Sequence, residues 1–194
     1  MYMQSMRRAL FCLGLLSFLL TLIGCAGPKG STVGDQRAAV RQMRQEVLAE
    51  LYAAQPELRS RIQRAPGYGV FSNRSGGLLL VGTGSGYGIV TDNATGKETI
   101  MRMAQLGVGF GVGMKDYRAV FVFKDPQVLR TFIESGWDFG AQTDAAAKVD
   151  QKGAATGTAA SAQEAIEIYQ FTETGVILRF GMAGTKYWKD PDLN

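Results

Sequence analysis

The sequence predicts an α+β protein in which N-terminal helices precede a curved, glycine-rich β-sheet. Val40, Met43, Val47 and Leu51 form one apolar stripe at helical spacing. From residue 67 onward, apolar residues recur in runs with the period of two that is typical of strands. Two of these runs, 82–88 and 106–114, carry glycine at every second position. Such bare faces indicate a sharply bent strand in a small barrel or another backbone packed close by.

Residues 1–24 are predicted to be a lipoprotein signal peptide. Arg7 and Arg8 precede an apolar run that ends directly before Cys25. The last residues of that run, with the cysteine, read LIGC and resemble a bacterial lipobox. In lipoproteins of that type the cysteine is lipid-modified and the chain is cut just before it. The alternatives are an ordinary secretory signal or an uncleaved anchor.

The mature chain is predicted to be a lipid-anchored domain of the bacterial envelope. Residue 26 is alanine rather than aspartate, which by resemblance to Gram-negative lipoproteins predicts an outer-membrane anchor facing the periplasm. Residues 25–34 are predicted to be a flexible lipidated tether, because glycine, proline and serine resist ordering. Residues 35–194 then form one domain, since cleavage would leave 170 residues, enough for a single core.

Two helices are predicted at the start of this domain, and both are rich in arginine. The first runs from Asp35 to Ala54, and the second restarts at Pro56, a residue that the first helical turn permits. Over residues 29–64 there are seven basic and four acidic residues, a local net charge of +3. The basic residues are Lys29, Arg37, Arg41, Arg44, Arg59, Arg61 and Arg64.

This basic helical segment has two interpretations. An amphipathic helix whose apolar stripe is flanked by arginines suits an anionic membrane surface. Alternatively, the stripe packs on the domain core and the arginines are simply solvated, as in most amphipathic helices of globular domains. The sequence leaves both interpretations open.

The remaining chain is predicted to be mostly strands with one further helix. The strand-like runs are 67–72, 77–92, 99–114, 117–123, 137–142, 165–171 and 175–184. Asp125 and Pro126 are typical of a helix start, and Gly136 of its end. Residues 144–165 are either small-residue strands or a mobile loop. The tail carries Tyr187 and Trp188, aromatic residues that suit an interface or a membrane border.

Neither glycine run fits a phosphate-binding loop. In a G-x-G-x-x-G count from Gly82, the third glycine falls on Tyr87, and in the second run it falls on Val112 or Met114. The pattern G-x-x-x-x-G-K-[ST] is absent from the sequence. Close packing is therefore the first interpretation of the bare faces, and a lipid chain lying against them is the second.

Composition excludes several classes of enzyme. The chain has no histidine, which removes Ser-His-Asp and Cys-His nucleophiles and histidine-ligated zinc or haem. Its two cysteines lie at residues 12 and 25, so we expect no disulfide, metal or cofactor in the domain. The best carboxylate pair is Glu164 with Glu167, a weak basis for catalysis. A mature net charge of +2 does not indicate nucleic-acid binding.

Five runs together resemble one family, the SYLF domain, also called the Ysc84-type actin- and lipid-binding domain. They are RAPGYGVF (64–71), GTGSGYGIV (82–90), LGVGFGVGMKDYRAVFVF (106–123), FIESGWDFGAQ (132–142) and YQFTETGVILRFGMAG (169–184). Their order and spacing match over about residues 38–184. The resemblance implies a compact, mainly antiparallel, barrel-like β domain with flanking helices. It also implies binding rather than catalysis.

The resemblance also bears on partners. Eukaryotic relatives bind phosphoinositide membranes through an N-terminal amphipathic helix, and some bind actin, whereas bacterial members are often envelope lipoproteins linked to phospholipids. We therefore expect a non-enzymatic protein that is anchored through Cys25 and binds anionic phospholipid headgroups through the basic residues named above. Actin is not expected, since a bacterial envelope protein would not meet it. The alternative is a protein-interaction or structural module of the envelope with the anchor as its only membrane contact.

Overall fold

The computed structural model of the protein describes residues 27–78, 81–108, 117–138, 165–172, 175–179 and 185–194. Within these ranges the chain forms three helices and eight strands. In chain order they are α1 (Val33–Ala54), α2 (Leu58–Arg64), β1 (Gly67–Leu78), β2 (Val81–Asp92), β3 (Glu98–Val108), β4 (Tyr117–Phe123), α3 (Pro126–Ser135), β5 (Trp137–Asp138), β6 (Ile166–Thr172), β7 (Gly175–Arg179) and β8 (Thr185–Lys189). The predicted signal peptide, Cys25 and residues 144–164 lie outside the described ranges.

The strands form a single curled sheet, which confirms the predicted α+β class with a curved antiparallel core. Their order across the sheet is β5-β8-β3-β2-β1-β4-β6-β7, and each neighbouring pair is antiparallel. β1 and β2 are the longest strands, at 12 residues each, and they lie at the centre. β5, at one edge of the sheet, has only two residues, and the other seven described strands are longer.

Helices cover the sheet on both sides, and each side has its own apolar cluster. On one side, which we call the aromatic face, α3 contributes Leu129 and Phe132 to a cluster with Phe71 and Phe121. On the other, the two-helix face, α1 and α2 pack over a second cluster that includes Val70. Alternation along each strand produces the two faces, because successive side chains of a strand point to opposite sides.

Local sequence signals explain the start of α1 and both ends of α3. At the start of α1, the Thr32 hydroxyl accepts a hydrogen bond from the Asp35 backbone N–H, and the Asp35 carboxylate accepts one from the Thr32 N–H, a capping box. Asp125 caps α3 by accepting from the N–H of Gln127 at 2.6 Å. Gly136 ends that helix with φ 73°, a left-handed conformation that favours glycine.

The apolar stripe of α1 is buried in the two-helix cluster. Val40, Met43, Val47 and Leu51 are each at most 8% exposed. Of the two sequence interpretations, docking of the helix on the core is therefore the one found in this fold. The stripe has no free face with which to enter a bilayer in this conformation.

The glycines of β2 make room for neighbours on the aromatic face. The register pairs Gly86 with Asn73 and Gly88 with Phe71. A Cβ atom on Gly86 would overlap the Ser72 carbonyl oxygen, and one on Gly88 would overlap the Phe71 ring, far inside the 3.0 Å that real Cβ atoms respect. The close-packing interpretation is confirmed for these positions. In the second glycine run, residues 109–114 lie outside the described ranges.

The C-terminal segment is not the simple tail that the sequence analysis expected. Residues 185–189 form β8, which pairs with β3 and β5. Tyr187 is 0% exposed, and its ring centroid lies 4.8 Å from that of Phe71 and 5.3 Å from that of Phe121. Interpreting Tyr187 as an interface or membrane-border residue was therefore wrong, because the curl of the sheet brings β8 over the aromatic face.

Candidate headgroup-binding surface

The arginines predicted to bind headgroups lie on α1 and α2, the helices of the two-helix face. Two carboxylates that they contact, Glu98 and Glu167, lie near the starts of β3 and β6. The strand register places both at the end of the sheet where β1 begins. We call the arginines of these two helices the basic surface: Arg37, Arg41, Arg44, Arg59, Arg61 and Arg64. Lys29 precedes α1 and is exposed.

Arg41 and Arg44 share one carboxylate. Arg41 Nε donates to Glu98 Oε2 at 2.7 Å, and Arg44 Nη1 donates to Glu98 Oε1 at 2.6 Å. Arg44 also donates to the Thr91 hydroxyl and is only 14% exposed, whereas Arg41 is 50% exposed. Arg44 therefore holds α1 against the β2–β3 turn, while Arg41 keeps half of its surface in solvent.

The same contacts shift the titration of Glu98. Burial raises its pKa, but the hydrogen bonds and charges of Arg41 and Arg44 outweigh burial, so the pKa lies below its ordinary value of 4.5. A carboxylate with a lowered folded-state pKa stabilises the fold above the unfolded-state pKa. That contribution is lost as the pH falls below about 4.5 through the folded-state value.

We expect Glu98→Gln to destabilise the fold near neutral pH and to flatten its acid response below pH 4.5. The loss is about 1 kcal/mol, because Arg41 is half in solvent, which screens its share of the pair. Thermal unfolding measured across an acid series checks this expectation. Glu46→Gln, which removes an exposed carboxylate from α1, is the matched control. Equal pH dependence of Glu98→Gln and the unmodified chain would contradict the assignment.

Arg37 ties α1 to the C-terminal residues. Its Nε donates to the Leu193 carbonyl at 2.9 Å, and its Nη2 donates to the Asn194 main-chain oxygen at 3.0 Å. Leu193 is buried in the two-helix cluster, and the Asn194 side chain exchanges hydrogen bonds with the backbone of Ile100. Arg37 is thus a fold-holding residue as well as a candidate headgroup ligand.

Arg61 is paired through a buried carboxylate. Its Nη2 donates to Glu167 Oε1 at 2.6 Å, and the other oxygen of Glu167 accepts from the Tyr169 hydroxyl at 3.1 Å. Burial and the Glu167 charge raise the pKa of Tyr169 to about 12, so this hydroxyl stays protonated and donates. Glu167, one of the weak catalytic candidates, is therefore occupied by structural contacts, and Glu164 lies outside the described ranges.

The other basic residues of α2 have weaker contacts. The Arg59 guanidinium lies 4.6 Å from the ring centroid of Tyr52, a cation–π contact. Arg64 Nη2 donates to the Ser60 hydroxyl at 3.4 Å. Both arginines are exposed. Among the described residues, no carboxylate forms an ion pair with Arg59 or Arg64. These two charges of the basic surface are therefore the most available to an external anion.

The burial of the α1 stripe and the ion pairs of the arginines determine which groups of the basic surface are available to an anion. Because the α1 stripe is buried, the groups that α1 and α2 present to an anion in this conformation are the guanidinium groups of their arginines. Sequence reasoning found the arginines but missed their carboxylate partners, which lie 54 and 106 residues away along the chain. It also missed Lys124, which lies 3.9 Å from Glu167.

Among the helices that the structure describes, none is both long enough and apolar enough to span a bilayer.

Residues 104–194 match the family described as "Ysc84: Las17-binding protein actin regulator". These residues correspond to a Ysc84, or SYLF, domain. The predicted resemblance is thereby confirmed, and SYLF domains are a family associated with lipid and actin binding. The match starts within β3, so the basic helices of the chain precede it.

A bacterial relative extends the similarity toward the N-terminus. The chain is 34% identical over 162 residues to "Beta cell expansion factor A" of Aeromonas veronii. The alignment covers 84% of this chain and 60% of the relative, so the chain spans about three fifths of the relative's length. An alignment of 162 residues must extend N-terminal to residue 104, where the family match begins.

Proposed function

We propose that this protein binds phospholipid membranes through anionic headgroups at its basic surface. The observation that carries the proposal is the clustering of six arginines on the two helices of one face, in a segment with a net charge of +3. Lysine and arginine near an anionic leaflet contribute about 1 kcal/mol each to membrane affinity. The match to a family associated with lipid binding supports this proposal.

In this proposal the protein is a non-enzymatic lipoprotein held at the outer membrane, facing the periplasm, through Cys25. The predicted tether, which the start of α1 at Val33 shortens to 25–32, keeps the domain close to the bilayer, so headgroup contacts orient the domain instead of recruiting it. Contact is peripheral, because the apolar stripe of α1 is part of the core. Salt should therefore weaken it, as it weakens interactions between exposed charges generally.

Vesicle co-sedimentation of residues 27–194, which lack the anchor cysteine, tests the proposal. We expect binding to vesicles that contain phosphatidylglycerol, weaker binding at moderate salt, and none to phosphatidylcholine alone. Absence of binding to both vesicle types would leave the acyl anchor as the only membrane contact. It would favour the alternative, a protein-interaction or structural module of the envelope.

A double variant separates the basic surface from overall charge. Arg59→Gln with Arg64→Gln removes two exposed charges and spares Arg37 and Arg44, whose side chains bond α1 to the C-terminal residues and to Glu98. At about 1 kcal/mol per charge, we expect roughly 30-fold weaker binding to anionic vesicles. Co-sedimentation across a lipid titration measures this.

The matched control removes two positive charges from the opposite side of the sheet. Arg130 lies exposed on α3, and Lys189 is exposed and pairs with Met101 of the aromatic face. We expect the Arg130→Gln, Lys189→Gln variant to bind anionic vesicles almost as the unmodified domain does. If both double variants lose affinity equally, net charge and not the basic surface governs binding.

A further inference from the structure

An open depression of about 250 Å³ lies between α2 and the end of β4. Its lining residues are Arg61, Arg64, Ala65, Pro66, Val122 and Lys124. We call it the α2–β4 depression. Ala65, Pro66 and Val122 are apolar, and the other three lining residues carry positive charge. A small anion in the depression would therefore be surrounded by cations, with no carboxylate among the lining residues.

The cations that line this depression outnumber the carboxylates that pair with them among the described residues. Arg61 lies 2.6 Å and Lys124 lies 3.9 Å from the same oxygen of Glu167. That carboxylate is only 10% exposed, and its other oxygen is held by Tyr169. Counting the lining cations and their one ion-pair partner, Glu167, leaves a surplus of two positive charges, with the Glu57 charge acting on Tyr169 from nearby.

Donor groups for an anion remain open at the rim. Arginine has five N–H donors, and the contacts of Arg61 to described residues use one of them. Arg64 makes one long hydrogen bond to a neutral hydroxyl, that of Ser60. The Arg61 and Lys124 side chains are 51% and 48% exposed, so a ligand can reach them. Arginine forks bind phosphate oxygens in pairs, and lysine adds a point charge.

The rest of the basic surface offers a different environment. Glu98 binds Arg41 and Arg44 at 2.7 and 2.6 Å, one arginine on each carboxylate oxygen. An incoming anion would have to compete with both of these contacts. At the α2–β4 depression, by contrast, Arg64 is paired with no carboxylate among the residues that the structure describes.

We propose that the α2–β4 depression binds a terminal phosphate group, the dianion of a phosphomonoester or of free phosphate. A phosphomonoester carries about −1.5 to −2 charges near neutral pH and offers three strong acceptor oxygens, which complements a surplus of two positive charges. A phosphodiester headgroup carries one negative charge and complements it less well. The inference rests on the proposed membrane function only where the phosphate belongs to a lipid.

The test uses the full-length chain in micelles of a nonionic detergent, titrated and followed by NMR or calorimetry. Inorganic phosphate and dimethyl phosphate are the soluble probes, a dianion and a diester of similar size. Phosphatidic acid and phosphatidylglycerol, each added to the micelles, are the corresponding lipid probes. We expect inorganic phosphate to bind more tightly than dimethyl phosphate, and phosphatidic acid more tightly than phosphatidylglycerol.

Two lysine variants assign the site. Lys124→Gln should weaken phosphate binding about tenfold, since it removes a charged donor from the depression. Lys97→Gln, which removes an exposed lysine from the β2–β3 turn at the same end of the sheet, should leave the affinity within about twofold. Neither lysine has a buried side chain, so both variants should fold.

The outcomes separate this site from the proposed function. Binding of both phosphate and phosphatidic acid, weakened by Lys124→Gln, supports a lipid phosphomonoester site, and binding of phosphate alone supports a site for the free anion. Equal affinity for monoester and diester probes, or equal loss in the two lysine variants, would overturn the inference. In that event binding to phosphatidylglycerol vesicles would still stand as evidence for the membrane function.

Discussion

Replacing Gly86 by alanine is expected to lower the free energy of unfolding by about 3 kcal/mol or more. The new Cβ would overlap the Ser72 carbonyl oxygen and crowd the Asn73 backbone, and no side-chain rotation relieves a clash with a main chain. β1 and β2 would have to separate at the centre of the sheet, where both strands pair on each side. The thermal midpoint should fall by roughly 6–12 °C.

Gly34→Ala is the control for this substitution. Gly34 lies in the first turns of α1, and a Cβ there would meet only the Thr32 hydroxyl, at an ordinary 3.6 Å. Alanine in place of a helical glycine should leave stability unchanged or raise it by up to about 1 kcal/mol. Thermal and urea unfolding of both variants measure the difference. An unchanged midpoint for Gly86→Ala would mean that β1 and β2 do not approach as closely as described.

Tyr187→Ala is expected to cost about 3–5 kcal/mol of unfolding free energy. The ring is fully buried among Phe71, Phe121 and Phe132, with ring centroids 4.8 to 5.6 Å away. Its removal leaves a cavity and breaks several edge-to-face aromatic contacts. Tyr187→Phe keeps the ring and should lose much less. Equilibrium urea unfolding of the two variants measures both effects.

Trp188→Ala serves as the neighbouring control. Trp188 follows Tyr187 in β8, points to the other side of the sheet, and is only partly buried. We expect it to lose less stability than Tyr187→Ala. If Tyr187→Ala instead keeps the stability of the unmodified chain but loses binding to anionic vesicles, the interpretation of Tyr187 as an interface residue would be restored.

Elements defined by short-range spacing could be predicted from the sequence. The predicted first helix, 35–54, is observed as Val33–Ala54, and the predicted strand 117–123 is observed as Tyr117–Phe123. The start of α3 at Pro126 and its end at Gly136 were also predicted, and the capping contacts confirm them. Each of these signals lies within a few residues of the element it defines, so tertiary structure does not need to be known.

Contacts between distant residues could not be predicted in this way. The arginines of α1 and α2 were identified as candidate ligands, but nothing near them in the sequence marks Glu98 or Glu167 as partners. Those pairs form because the register of β3 and β6 brings both carboxylates to the end of the sheet under the helices. The burial of Tyr187 depends likewise on the position of β8 beside β3, which a short aromatic segment does not reveal.

The crowding around the sheet glycines also determines which positions can change in concert during divergence. At Gly86 the obstacle is main chain, so no second substitution nearby creates space for a side chain. At Gly69 the nearest atoms belong to the side chains of Phe71 and Val90. A smaller residue at position 71 would make room for alanine at position 69. We therefore expect related sequences to keep glycine at the first position and to exchange residues 69 and 71 as a correlated pair.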